Sequence, residues 1–169
     1  MSCSPPLLPL SLLAALVGAG AACTNAYPQQ EGEYLFTATE EILDDCDLLT
    51  SPEALWDAQV LIAGETLRMD FGLFEQGDAG GTELLGFFLG VDDRFTADGS
   101  VANVATQARG QACLLDTATV HLDGRTDCPT QFSGTLRVRY ESRRSAACNC
   151  ELWVRYTARQ PQSSCEPAP

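Results

Sequence analysis

Eight cysteines, one histidine and 23 acidic side chains carry most of the chemical potential of this 169-residue sequence. Cys148-Asn149-Cys150, joined by Cys128 and Cys165, offers thiolates to a zinc ion. Structural zinc favours paired C-x2-4-C knuckles, and here one C-x-C has no second pair, so no metal site is expected. The C-x-x-C that opens a helix in thioredoxin-like redox centres is also missing. On a strand, Cys148 and Cys150 would point to the same face, which favours two separate disulfide partners over a bond between them. His121 is the only histidine, so any Ser–His–Asp or Cys–His arrangement must use it. It stands in Thr119-Val120-His121-Leu122-Asp123, a strand read as leading into an Asp123-Gly124 turn, with no Gly-x-Ser-x-Gly elbow nearby. It therefore reads as an exposed strand-face residue, and no catalytic residue is assigned. Asp44, Asp45 and Asp47, and again Asp92, Asp93 and Asp98, present oxygens suited to calcium. Neither group fits the D-x-[DN]-x-[DN]-G loop, so both read as solvated turns.

The elements that must position these residues are strands. Gly32 to Thr39 alternates, with Tyr34 and Phe36 on one face. Ser51-Pro52-Glu53 carries an N-cap followed by proline and predicts one or two helical turns over Pro52 to Asp57. Val60 to Ala63 and Thr66 to Leu73 flank Gly64-Glu65 as a hairpin, and a loop is expected over Gln76 to Thr82. Leu84 to Val91 is a continuous apolar run, predicting a strand buried on both sides. A turn over Asp92 to Ser100 and strands over Val101 to Gln107 and Gln111 to Leu122 follow. In the last hairpin, Phe132, Leu136, Val138 and Tyr140 alternate with polar residues, as do Leu152, Val154 and Tyr156. A turn centred on Ser145 sets Arg139 opposite Glu151 and Arg137 opposite Trp153, predicting one ion pair and one cation–π contact. The fold class expected is all-β: a single antiparallel β-barrel or β-sandwich of about eight strands with one short helix, stapled by disulfides.

Net charge is −13, and every base is arginine. With no lysine, Schiff-base chemistry and a P-loop lysine are excluded. Such acidity also disfavours nucleic acid and anionic lipid surfaces, which require clustered cations. Residues 23–100 hold 17 acids with only Arg68 and Arg94, whereas residues 101–169 hold 6 acids and 8 arginines. The plain expectation is that the two halves neutralise one another within one fold.

Residues 1–22 carry no charged side chain and run from an apolar stretch at Leu7 to Val17 into small Gly and Ala, the pattern of a secretory signal. The stretch is too short for a spanning helix. Leu16-Val17-Gly18-Ala19-Gly20-Ala21-Ala22-Cys23 resembles the lipobox of bacterial lipoprotein precursors, with Gly20 where leucine is commonest and no Lys or Arg in the n-region. The resemblance implies a signal peptide over 1–22, acyl chains on Cys23, a tether over 23–30 and a β domain over 31–169. Several acyl chains on one residue give stable anchoring. Because Thr24 follows the cysteine, it further implies sorting to the outer membrane of a bacterial cell envelope.

Removing Cys3 with the leader and committing Cys23 to lipid leaves Cys46, Cys113, Cys128, Cys148, Cys150 and Cys165, an even set able to form three disulfides with 15 connectivities open. Gly32-Glu33-Tyr34 faintly resembles the Gly-x-Trp opening of lipocalin-like barrels, with Tyr in place of Trp. The function expected is that of an envelope-anchored lipoprotein whose β domain works without catalysis or cofactor, in structure or in recognition of an unknown protein. The alternative is a lipocalin-like carrier of a small apolar ligand, which would need an open internal cavity.

Overall fold

The computed structural model describes residues 29–49, 55–74, 81–89 and 93–165. Eight strands form it: β1 (Gly32–Asp44), β2 (Asp57–Ala63), β3 (Thr66–Phe71), β4 (Thr82–Phe88), β5 (Arg94–Ala108), β6 (Gln111–Cys128), β7 (Gln131–Glu141) and β8 (Cys150–Arg159). Each pairs antiparallel with its sequence neighbour, and β8 pairs with β1 to close a barrel. Of the two architectures the sequence left open, the barrel is the one adopted.

Short turns drive this meander. Arg109 and Gly110, with φ of 51° and 70°, join β5 to β6 as a two-residue loop whose positive φ values match the twist of the flanking strands. Gly64, with φ of 64°, opens the equivalent turn between β2 and β3. A row of outward residues, Leu61, Arg68, Leu85, Asp98, His121, Arg137, Trp153 and Leu43, can be followed from β2 round to the far end of β1. That climb is the stagger a closed barrel requires.

Inward positions alternate with these and fill the interior. Phe36 touches Phe71, Phe132 and Tyr156 at ring-centroid distances of 5.3, 5.6 and 4.9 Å, and Phe132 touches Tyr34 and Phe95 at 5.0 and 5.2 Å. All six rings are buried. Burying each is worth about 1.5–3 kcal/mol, so this aromatic column is a substantial part of the core, which it shares with buried Leu67, Met69, Leu122, Leu136 and Val154. One rim is closed by Gln29, whose amide donates to the Tyr34 hydroxyl and to the Pro129 carbonyl. At the opposite rim Trp56 packs on Phe71 and Phe74 on Tyr140.

Several expectations need correction. β4 is not buried on both sides: Leu85 and Phe87 face outward, because an antiparallel barrel covers only one face of its sheet. Asp98-Gly99-Ser100 and Asp123-Gly124 are not turns but lie inside β5 and β6, which run 15 and 18 residues. Of the helical turn expected over Pro52 to Asp57, positions 52–54 lie outside the described residues, and Asp57 opens β2. The one short helix described is a 3-10 turn at Ala146–Cys148. The last hairpin has the expected register, Arg137 opposite Trp153 and Arg139 opposite Glu151. Arg137 stacks on the Trp153 ring at 4.5 Å, yet it is also Arg137 that reaches Glu151, at 2.8 Å, while Arg139 turns to Glu141 at 3.3 Å.

Candidate functional site

Three disulfides determine which loops are rigid. Cys46–Cys150 and Cys113–Cys148 sit together at the rim formed by the β1–β2, β5–β6 and β7–β8 connections, with Cα separations of 5.1 and 5.8 Å. Cys128–Cys165 fastens the C-terminal segment at the other rim, beside the start of β1. Cys148 and Cys150 take separate partners. Cys23 lies outside the described residues.

Between the two clustered disulfides and the ends of β6, β7 and β8 opens a polar cleft of about 430 Å3. Its walls are set by hydrogen bonds that hold the β7–β8 loop. The Ser142 amide donates to Asn149 Oδ1 at 2.6 Å, the Arg143 amide to Asp116 Oδ2 at 2.5 Å, and the buried Ser142 hydroxyl to the Leu114 carbonyl at 2.9 Å. Asp45 enters from the β1–β2 loop, where Arg109 binds its carbonyl at 2.6 Å and its carboxylate at 3.6 Å. Asp44, just before it, accepts from the amides of Leu48 and Leu49 at 3.0 Å, so its oxygens organise a turn.

The cleft thus gathers Asp45, Asp116, Glu141 and Glu151 with Arg139 and Arg143. Arg143 on its lip and the adjoining Arg144 are exposed, and among the described residues neither guanidinium has a carboxylate in ion-pair range. Tyr140 of β7 also borders the cleft, but its ring packs inward on Phe74, where burial pushes its hydroxyl up to about 12 with a partly opposing hydrogen bond from Thr106. An arrangement of this kind recognises polar or charged groups by hydrogen bonding and ion pairing. Among the described residues nothing in it pairs a nucleophile with a base: the Ser142 hydroxyl is committed to a carbonyl, and His121 stands four residues along β6 from Thr117, about 13 Å away.

His121 has its own setting on the outer sheet face. Its Nδ1 meets Asp98 at 2.6 Å and its Nε2 meets Asp123 at 3.4 Å. The Asp98 hydrogen bond raises its pKa, partial burial opposes this, and the charges of Asp98 and Asp123 add to the rise. A hollow of 460 Å3 spans Asp98 and His121, but it is a shallow groove on the outer strands. The second acidic triplet weighed for calcium is dispersed: Asp93 pairs with Arg125 at 2.7 Å, Asp98 with His121, and Asp92 lies outside the described residues.

Sequence reasoning did not single out Asp116, Ser142, Arg143 or Asn149. Ser142, Arg143 and Asn149 are signalled locally only by the polar stretch between two strongly alternating strands, and Asp116 is one polar residue inside β6. Comparison with protein-family models, curated proteins and solved structures finds no match.

Proposed function

We propose that this chain is an exported lipoprotein, anchored to the bacterial envelope through acyl chains on Cys23, whose barrel acts without catalysis as a recognition or structural module. The observation that carries this reading is the pairing of all six cysteines downstream of Cys23 into disulfides, bonds that persist in oxidising compartments. Cys23 is then the one mature cysteine left over, directly after the small residues of a lipobox-like leader. The partner meets the disulfide-framed cleft, which the tether leaves facing away from the membrane because Gln29 and the cleft are at opposite rims.

A carrier of a small apolar molecule is the second reading, and what favours it is the closed eight-strand meander, an architecture that elsewhere encloses single ligands. The column of interlocked aromatic rings occupies the space such a ligand would need, which weighs toward recognition at the outer cleft. The test is Cys23→Ala in the full chain. It is expected to move the protein from the membrane fraction to the soluble envelope fraction, with all three disulfides intact by non-reducing mass spectrometry. A variant that stays with the membrane, or a mature protein found in the cytosol with its leader attached, defeats the reading.

A further inference from the structure

β4 and the residue that follows it present an apolar row to water: Leu85 is 51% exposed, Phe87 61% and Leu89 47%. On the same outer face Leu61, 40% exposed, lies opposite Arg68, which in turn lies opposite Leu85. Arg68 does not turn this surface into a cationic patch. Its guanidinium is held by Glu83 at 2.7 Å and Asp70 at 3.3 Å, on the side away from Phe87 and Leu89.

The location of this edge on the barrel gives it meaning. Phe87 pairs with Thr66 beside the β2–β3 turn, the Phe88 amide donates to the Glu65 carbonyl, and the Leu89 amide to Arg94. At that same rim β1 begins: Gly32 pairs with Val60, and the Glu31 carboxylate accepts from the Ile62 amide at 2.7 Å. Between β1 and β4 there are three interstrand spacings, about 15 Å. The described chain therefore enters the barrel on the rim that carries the apolar edge. Cys23 precedes Gln29 by six residues, and six extended residues reach at most about 20 Å.

We infer that Leu61, Phe87 and Leu89 form a membrane-docking edge, which seats this rim in the interfacial layer of the bilayer that holds the Cys23 lipid. This rests on the lipoprotein reading given above. The tether keeps this rim within about 20 Å of the lipid, and the side chains it brings toward the surface are large and apolar. Attraction to anionic headgroups is not the means, since the chain carries a net charge of −13. Insertion of the apolar edge holds the barrel upright, with its disulfide-framed cleft turned outward.

The test uses the full, processed chain in vesicles of zwitterionic phosphatidylcholine, with and without bromine on the acyl chains, and mass spectrometry of Cys23 in the same sample. F87W is made with Trp56→Phe and Trp153→Phe, so that a single indole reports. Expected is blue-shifted emission that brominated lipid quenches, whereas the protein retaining only Trp153, higher on the barrel, stays unquenched. A lipid on Cys23 with an unquenched F87W indole overturns the inference and leaves the anchoring reading intact. Blue-shifted emission without quenching points to a second copy on the edge and also overturns it. An unmodified Cys23 defeats the anchoring reading and the inference with it. Far-UV circular dichroism and an intact disulfide count establish that each variant is folded.

Discussion

His121 is held between carboxylates from two strands, Asp98 across the β5–β6 ladder and Asp123 two residues along β6, while Arg137 stands opposite it on β7. The hydrogen bond to Asp98 is the larger influence and favours the imidazolium, so its pKa in the folded barrel is above the ordinary 6.5. A raised value means that the folded state holds the proton more tightly than the unfolded chain. The stabilisation is therefore complete below about pH 6 and is lost as pH rises through the folded value. Both partners are exposed, the imidazole at 45% and Asp98 at 69%, so solvent screens the pair and limits it to about 1 kcal/mol or less. Asp98→Asn is expected to lower the His121 titration midpoint in an NMR pH series, where a lone histidine gives an unambiguous signal. It is also expected to reduce stability at acidic pH while leaving alkaline stability unchanged. A midpoint that does not move would show that Asp123 and Arg137 set the protonation of this ring.

At the level of elements, the part of β6 and β7 nearest their connecting turn depends on two inward glycines, Gly124 and Gly134, paired across the ladder. The Phe95 ring occupies the space a side chain at position 124 would need, and a β-carbon there would collide with it. Gly124→Ala is expected to cost about 1–3 kcal/mol through overpacking, seen as a lower denaturant midpoint with an unchanged m-value. An unaltered midpoint would mean that Phe95 can move aside at no cost. The same glycine explains why sequence reading faltered here: Asp123-Gly124 resembles a turn, and only a neighbouring strand reveals that the glycine makes room for a ring. β4 misled for a related reason, since an unbroken apolar run suggests two covered faces, whereas in this barrel one of its faces meets water. The β7–β8 hairpin was legible down to its register because strict alternation and a central turn fix which residues oppose each other. The cleft was not, because Asp45, Asp116, Arg143 and Glu151 are distant in sequence and meet only when the barrel closes and Cys46–Cys150 and Cys113–Cys148 pin its loops.

Across the whole molecule, the acidic first part and arginine-rich second part are stitched to each other: Arg109 to Asp45, His121 to Asp98, Arg125 to Asp93 and Arg155 to Glu40. These pairs are exposed and individually weak, so they steer complementarity while the buried aromatic column supplies cohesion. That division implies a failure mode at high pH. Tyr34, Tyr140 and Tyr156 all have raised pKa values caused first by burial, with Tyr140 at about 12 and Tyr156 fully enclosed, its hydroxyl donating to the Asp123 carbonyl at 3.1 Å. In the unfolded chain each would ionise near its ordinary value of 10.0. Raised folded values mean that their contribution is complete below that point and declines as pH rises toward the folded values. For Tyr140 alone, the rise from 10.0 to about 12 corresponds to about 3 kcal/mol at the alkaline limit. Since the three phenols line one packed interior, ionising one loosens the rest, and the barrel is expected to open in a single alkaline transition. Tyrosinate absorbance should then rise for these three together, in step with loss of the far-UV strand signal. Three phenols titrating individually while the strand signal persists would show that water already reaches the interior, and would return weight to the ligand-carrier reading.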